Sequence, residues 1–237
     1  MRLHEMLTIM IISLTNSFTA LAAPSECRSL FNGSSADSYK GQLYLDSNVL
    51  KNESLDFIEH IGPSDNPMGS AMAMNIQYSP ILALRHQIEK KLNLKKPLNF
   101  LKAWSPNGEA HVTTITPVDY RKLKGFVDIG KINQIARDFD IQASDLTILG
   151  IGRGKAVIEE KNEETYFVIV KSENLLKIRR AIYQEFLKAK GDPNAWDPEH
   201  FFPHITIGYT RGDLHEDNGV IKDVKNSLDI RFQLVLN

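Results

Sequence analysis

Two histidines and two threonines stand in a pattern that could cut a phosphodiester. The segments His111-Val112-Thr113-Thr114-Ile115 and Pro203-His204-Ile205-Thr206-Ile207-Gly208 each place a histidine two residues before a threonine. Alternate side chains of a strand share a face, so His111 stands beside Thr113 and His204 beside Thr206. Cleavage needs a base to take a proton from water or a ribose hydroxyl, an acid to protonate the departing oxygen, and donors to the non-bridging oxygens. Histidine titrates nearest neutrality, so one ring can be neutral while the other is protonated at the same pH. Thr113 and Thr206 would then bind the phosphate through their hydroxyls. Such chemistry calls for no metal and no cofactor.

A single His-x-Thr is more often a strand histidine bonded locally. Spacing changes that balance. His111 and His204 lie 93 positions apart (204 minus 111), and so do Ser79 and Ser172, each placed between a strand pattern and a helix pattern. Two landmarks at one offset argue for a duplicated, two-lobed architecture with one His-bearing strand per lobe. A metal is the competing use of the same residues. His200 and His204 have a ligand-like gap, but Pro203 breaks any helix between them and no Cys or His-Glu helix motif completes a site.

The elements that must position these residues are read from periodicity. Short branched or aromatic runs bounded by Gly, Pro, Asn or Ser predict strands over 41–45, 72–78, 99–104, 110–116, 146–151, 165–171, 203–209 and 230–236. Ile81, Leu84, Ile88 and Leu92 predict a helix over 80–92, with Pro80 in its first turn. Leu175, Ile178, Ile182 and Phe186 predict another over 173–190, capped by Ser172 and stopped by Gly191. A third, shorter helix is expected over 131–139. Around the motifs, Arg153 and Lys155 of Gly150-Ile151-Gly152-Arg153-Gly154-Lys155 are candidates for phosphate charge, although the glycines alone also suit a tight turn. Tyr209, Arg211 and His215 are candidates for a base or ribose contact. Trp104 and Trp196 precede the two motifs and are the kind of residue more often found in a core.

The rest of the composition bounds the reading. Met6 to Leu14 is almost wholly apolar, follows Arg2 and leads to Ala20-Leu21-Ala22, the order of a secretory leader cleaved after residue 22. Thr15, Asn16, Ser17 and Thr19 interrupt the run too early for a membrane span. The mature protein is therefore expected in the periplasm or outside the cell, with no stable membrane insertion, a flexible arm over 23–38 and a single domain over 39–237. Cys27 is the only cysteine, which excludes an intrachain disulfide. A net charge of −1 gives no extended nucleic-acid surface but leaves room for a small phosphorylated substrate. A monomer is expected.

The paired motifs resemble those of the two-histidine (2H) phosphoesterase superfamily. The segment Glu109-Ala110-His111-Val112-Thr113-Thr114-Ile115-Thr116-Pro117-Val118-Asp119-Tyr120 is similar in particular to the Swiss army knife RNA repair-like branch, as are Leu149-Gly150-Ile151-Gly152-Arg153 and the strand Tyr166-Phe167-Val168-Ile169-Val170. The resemblance spans about 72–209. It implies an α/β (α+β) protein of the duplicated bilobal, LigT-like fold, with two antiparallel sheets and flanking helices around a central groove. It also implies His111 and His204 as the catalytic pair, Thr113 and Thr206 on the phosphate, and substrates such as 2′,3′-cyclic nucleotides, RNA ends or ADP-ribose cyclic phosphate. One departure stands out: many members carry an apolar residue after each Thr, where this chain has Thr114. The alternative reading is a non-catalytic exported binder of phosphorylated nucleotide or RNA ends.

Overall fold

Each histidine strand closes a three-stranded antiparallel sheet in the computed structural model, which describes residues 38–51, 53–62 and 69–237. The expected leader, Cys27 and all of the expected arm except Ser38 lie outside the described residues. The first sheet is ordered β2 (Ile58–His60), β3 (Ala71–Ile76), β4 (Ala110–Ile115), and helix α1 (Tyr78–Leu92) connects β3 to β4. After α2 (Pro117–Leu123) and α3 (Ile129–Asp138), the second sheet is ordered β5 (Thr147–Ile158), β6 (Lys161–Lys171), β7 (His204–Tyr209), and α4 (Glu173–Lys188) connects β6 to β7. The order strand, strand, helix, strand thus occurs twice, with the histidine at or beside the start of the last strand each time. The protein is a mixed α/β chain with antiparallel sheets and several helices.

Local chemistry explains the elements. In β3, five of six residues are buried and four are Ala or Met, as befits a strand covered on both faces. The buried face of α4 is Leu175, Ile178, Ile182 and Phe186, the set that periodicity predicts, together with Arg179. The Ser172 side chain accepts from the Leu175 backbone N–H and caps it. The first half differs. Helix α1 starts at Tyr78 with Gln77 as its cap, so Ser79 lies inside the first turn and is not the counterpart of Ser172. Thr116 ends β4 by becoming the cap of α2, where its hydroxyl and the Asp119 carboxylate form a reciprocal capping box.

Two further expectations need correcting. Residues 99–104 form no strand beyond a bridge between Asn99 and Tyr209, because the chain turns around Glu109. The Glu109 carboxylate takes the backbone N–H groups of Trp104 and Ser105 at 2.6 and 2.9 Å, offering them an alternative to a ladder. There is also a third sheet, and it is parallel: β1 (Gly41–Leu45) pairs with β8 (Phe232–Leu236), which follows the short helix α5 (Val224–Ser227).

The two halves share one core within the compact unit Tyr39–Asn237. Helix α1 packs on β1 and β7, α4 packs on β4, and β4 and β7 lie against each other although they belong to different sheets. No helix of the described residues is long and apolar enough to cross a membrane.

Candidate active site

His204 begins β7 opposite Ile169 of β6, and its neighbour along the same face, Thr206, stands opposite Phe167. Its Nδ1 is 2.8 Å from the Phe202 carbonyl, which must accept a proton from it, so Nε2 is the nitrogen with a lone pair. That Nε2 lies 3.2 Å from the Nζ of Lys222, which also donates to Asp213 Oδ1 at 2.7 Å. Asp213 is the hub: it accepts from the hydroxyls of Thr165 at 2.6 Å and Thr206 at 2.8 Å, and His215 Nε2 stands 3.6 Å away. Burial alone would push the Asp213 carboxyl up, but the Lys222 ammonium and the neighbouring imidazoles hold it far below the ordinary carboxylate range. Burial and the Lys222 charge together push His204 well below the usual imidazole value, against the pull of Asp213. Burial likewise lowers Lys222 and His215.

His111 sits in a drier and more aromatic setting. It is 9% exposed, with the Trp104 ring at a centroid distance of 4.8 Å. The Trp104 indole N–H donates in turn to His60 Nδ1 at 3.1 Å. Among the described residues His111 Nδ1 has no hydrogen-bond partner; Glu109 Oε1 lies 4.0 Å from it. Burial pushes the ring down to about 4, Asp213 opposes this and Lys222 adds to it. Both imidazoles therefore lie in the field of one Lys222–Asp213 pair, on adjacent strands.

The structure brings some predicted residues to this place and not others. His204 and Thr206 meet at Lys222 and Asp213, His111 lies on β4, which packs against β7, and Thr113 lies half-buried two residues beyond it. The Thr206 hydroxyl proton is committed to Asp213. Arg153 is ion-paired with Glu164 across the β5–β6 ladder, Lys155 is exposed on the same strand, and Arg211 pairs with Glu159 at the hairpin turn. The Tyr209 hydroxyl donates to the Phe100 carbonyl at 3.1 Å. His200, weighed above as a ligand, pairs with Glu216. Trp196 is core, whereas Trp104 packs on His111. A cavity of about 230 Å³, lined among others by Ile169, Phe201, Phe202, Pro203 and Lys222, opens beside the second histidine strand.

Residues that sequence reasoning missed do much of the positioning. Arg179, 1% exposed on α4, donates to the carbonyls of Thr114 on β4 and of Asp197, Pro198 and His200 before β7. It also pairs with Asp119 at 3.1 Å, and Asp119 accepts from the Trp196 indole at 2.7 Å. Burial would raise the Asp119 carboxyl, yet Arg179 and Trp196 hold it below its ordinary value. One guanidinium thus fixes both histidine strands. Its signal in the sequence was a charge on the apolar stripe of a helix. Asp213 and Lys222 left no such signal, being isolated charges on irregular segments.

His204, Asp213 and His215 are the one group among the described residues whose ligand atoms are close enough to share a cation, all within 4.8 Å. The Lys222 ammonium already bonds two of the three, so a fixed positive charge stands where an ion would be held. A family model described as Swiss Army Knife, 2H phosphoesterase domain, matches residues 70–215, from the start of β3 to His215. No curated protein and no solved structure gives a match. With more than half of its length matched and both histidine strands inside the matched segment, the chain belongs to the Swiss Army Knife family of two-histidine phosphoesterases.

Proposed function

We propose that this protein is a metal-independent phosphodiesterase in which His111 and His204 share general acid and base catalysis. Its substrate is a cyclic or linear phosphodiester of the 2′,3′-cyclic nucleotide, RNA-end or ADP-ribose cyclic phosphate type. The observation that carries the reading is the packing of the two histidine strands, β4 and β7, against each other, with the buried Lys222–Asp213 pair at His204 Nε2. One ring takes a proton from the attacking water, a phosphorus–oxygen bond forms to it, and the other ring protonates the leaving oxygen as its bond breaks. The repeated strand-strand-helix-strand order supports a duplicated fold whose halves meet at a groove along β4 and β7. Thr113 contributes a hydroxyl to the phosphate, whereas Arg153, Tyr209 and Arg211 would have to exchange Glu164, the Phe100 carbonyl and Glu159 to meet more distant parts of the substrate, and Lys155 would reach them only from its exposed place on β5. The leader-like start of the chain supports export to the periplasm or the medium.

The test is a panel of nucleoside 2′,3′-cyclic phosphates, short RNAs with cyclic ends and ADP-ribose cyclic phosphate, incubated with purified mature protein and resolved by chromatography. Ring opening or diester cleavage that survives a chelator is the expected result. Loss of activity on chelation, restored by a divalent ion, would replace the proposal with a metal mechanism, and tight binding without product over hours would make the protein a binder.

The pH dependence follows from the lowered imidazoles. At neutral pH both rings of the free protein are unprotonated, whereas the reaction needs one imidazolium. Above both ring values the productive form declines tenfold per unit of pH, so kcat/KM should fall steadily with rising pH through the neutral range. A bound phosphate anion favours the protonated ring, so the corresponding limb of kcat should lie at higher pH. A profile of kcat/KM that is flat between about pH 6 and 8 would contradict the acid role.

A further inference from the structure

We infer that Lys222 is the phosphate anchor of the second half of the site, its ammonium meeting a phosphoryl oxygen of whatever substrate His204 attends. The inference rests on the phosphoesterase reading above and deepens it. Lys222 lies beyond the segment the family model matches, and nothing in the two His-x-Thr motifs requires it.

Three observations lead there. First, Lys222 is 2% exposed, its burial matched by Asp213, and its Nζ is held 5.1 Å from the centre of the Phe167 ring beneath His204, so the ammonium is fixed at this place. Second, the Phe202 carbonyl holds Nδ1 of His204, which leaves Nε2 as the edge that can exchange a proton with substrate. Nζ stands 3.2 Å from that atom, so an oxygen that reaches Nε2 arrives beside the ammonium. Third, Thr206 has turned its proton to Asp213, so the donor expected from the motif is already engaged.

An ammonium has three N–H donors, of which one goes to Asp213; the one that meets His204 Nε2 must turn away when that nitrogen exchanges a proton, and it and the third can then meet a phosphoryl oxygen. Asp213 balances the charge of Lys222 and its oxygens also accept from Thr165 and Thr206, so the anchor acts as a fixed N–H donor more than through net charge. The ligand class is a phosphate mono- or diester with a free non-bridging oxygen.

Titrating inorganic phosphate into the full mature chain by calorimetry tests this without any assumption about turnover. Lys222→Met should weaken phosphate binding by at least about tenfold, the scale of one charge-assisted hydrogen bond, while Lys222→Arg retains most of it. Removing Lys222 strands a buried carboxylate, so thermal melting accompanies each variant. If Lys222→Met does not fold, Asp213→Asn/Lys222→Met removes both charges at once and should show the same loss. Phosphate affinity equal to wild type in a folded variant lacking Lys222 overturns the inference, as does a wild-type protein that binds no phosphate. If the wild type cleaves nothing in the panel while the Lys222→Met variant binds phosphate more weakly than the wild type, the catalytic reading ends and Lys222 remains the anchor.

Discussion

Alanine in place of His204 or His111 is expected to lower kcat/KM on the best panel substrate by at least ~100-fold, the lower end for loss of a positioned acid or base. The two residues serve one transition state, so the double variant should be scarcely worse than either single one. The reason is chemical. Without the base the attacking oxygen keeps its proton, and without the acid the leaving oxygen departs as an unfavourable alkoxide. The two environments predict different side effects. His204→Ala removes one of the two hydrogen-bond partners of Lys222, whereas His111→Ala removes a ring packed on Trp104. Circular dichroism melts separate lost folding from lost chemistry, and turnover unchanged in both folded variants would remove the two-histidine mechanism.

Arg179→Met is expected to destabilise the protein by about 3–5 kcal/mol, the range for breaking a buried ion pair from one side. The guanidinium is 1% exposed, makes five hydrogen bonds to Asp119 and four carbonyls, and has the rings of Trp196 and Phe201 each 4.8 Å from its central carbon. Methionine replaces the stem but leaves the Asp119 carboxylate and those carbonyls short of donors. Lysine keeps the charge yet cannot reproduce the planar fork, so Arg179→Lys should lie between wild type and Arg179→Met. Urea unfolding measures both. A loss below about 1 kcal/mol for Arg179→Met would mean that the buried pair is no more useful than an exposed one. Because Arg179 joins β4 to the turn before β7, activity per folded molecule should also fall.

What could be read from the sequence was local. The His-x-Thr strands are legible because strand alternation is a two-residue rule, and the helices α1 and α4 because their apolar residues recur every three to four positions. The β5–β6 hairpin was legible only in part: strands were expected over 146–151 and 165–171, but they continue to a turn at Glu159 and Glu160. Both turn residues have positive φ, at 50° and 62°, where Asn-Gly or Asp-Gly is the usual sign. Without that sign the second half of β5 and the first four residues of β6 are not read as strand. The missing parts of the site were hidden for another reason. Lys222 meets His204 across 18 positions and Asp213 across 9, through segments with no period to reveal which side chains converge. The duplication was read from two offsets, and Ser79 turned out to lie within a helix; the histidine offset and the repeated order of elements are what support the proposed duplication.

The pairing of β1 with β8 has a mechanical consequence. The two strands run parallel, with Gly41 beside Phe232 and Leu45 beside Leu236, so the chain enters the ribbon at one end and leaves it at the other. A tug applied through residues 39 and 237 slides the strands lengthwise past each other, loading the rungs of the ladder together instead of peeling them one by one. The same joint that closes the chain on itself therefore acts as a shear clamp, and the histidine strands behind it are shielded from tension until it yields.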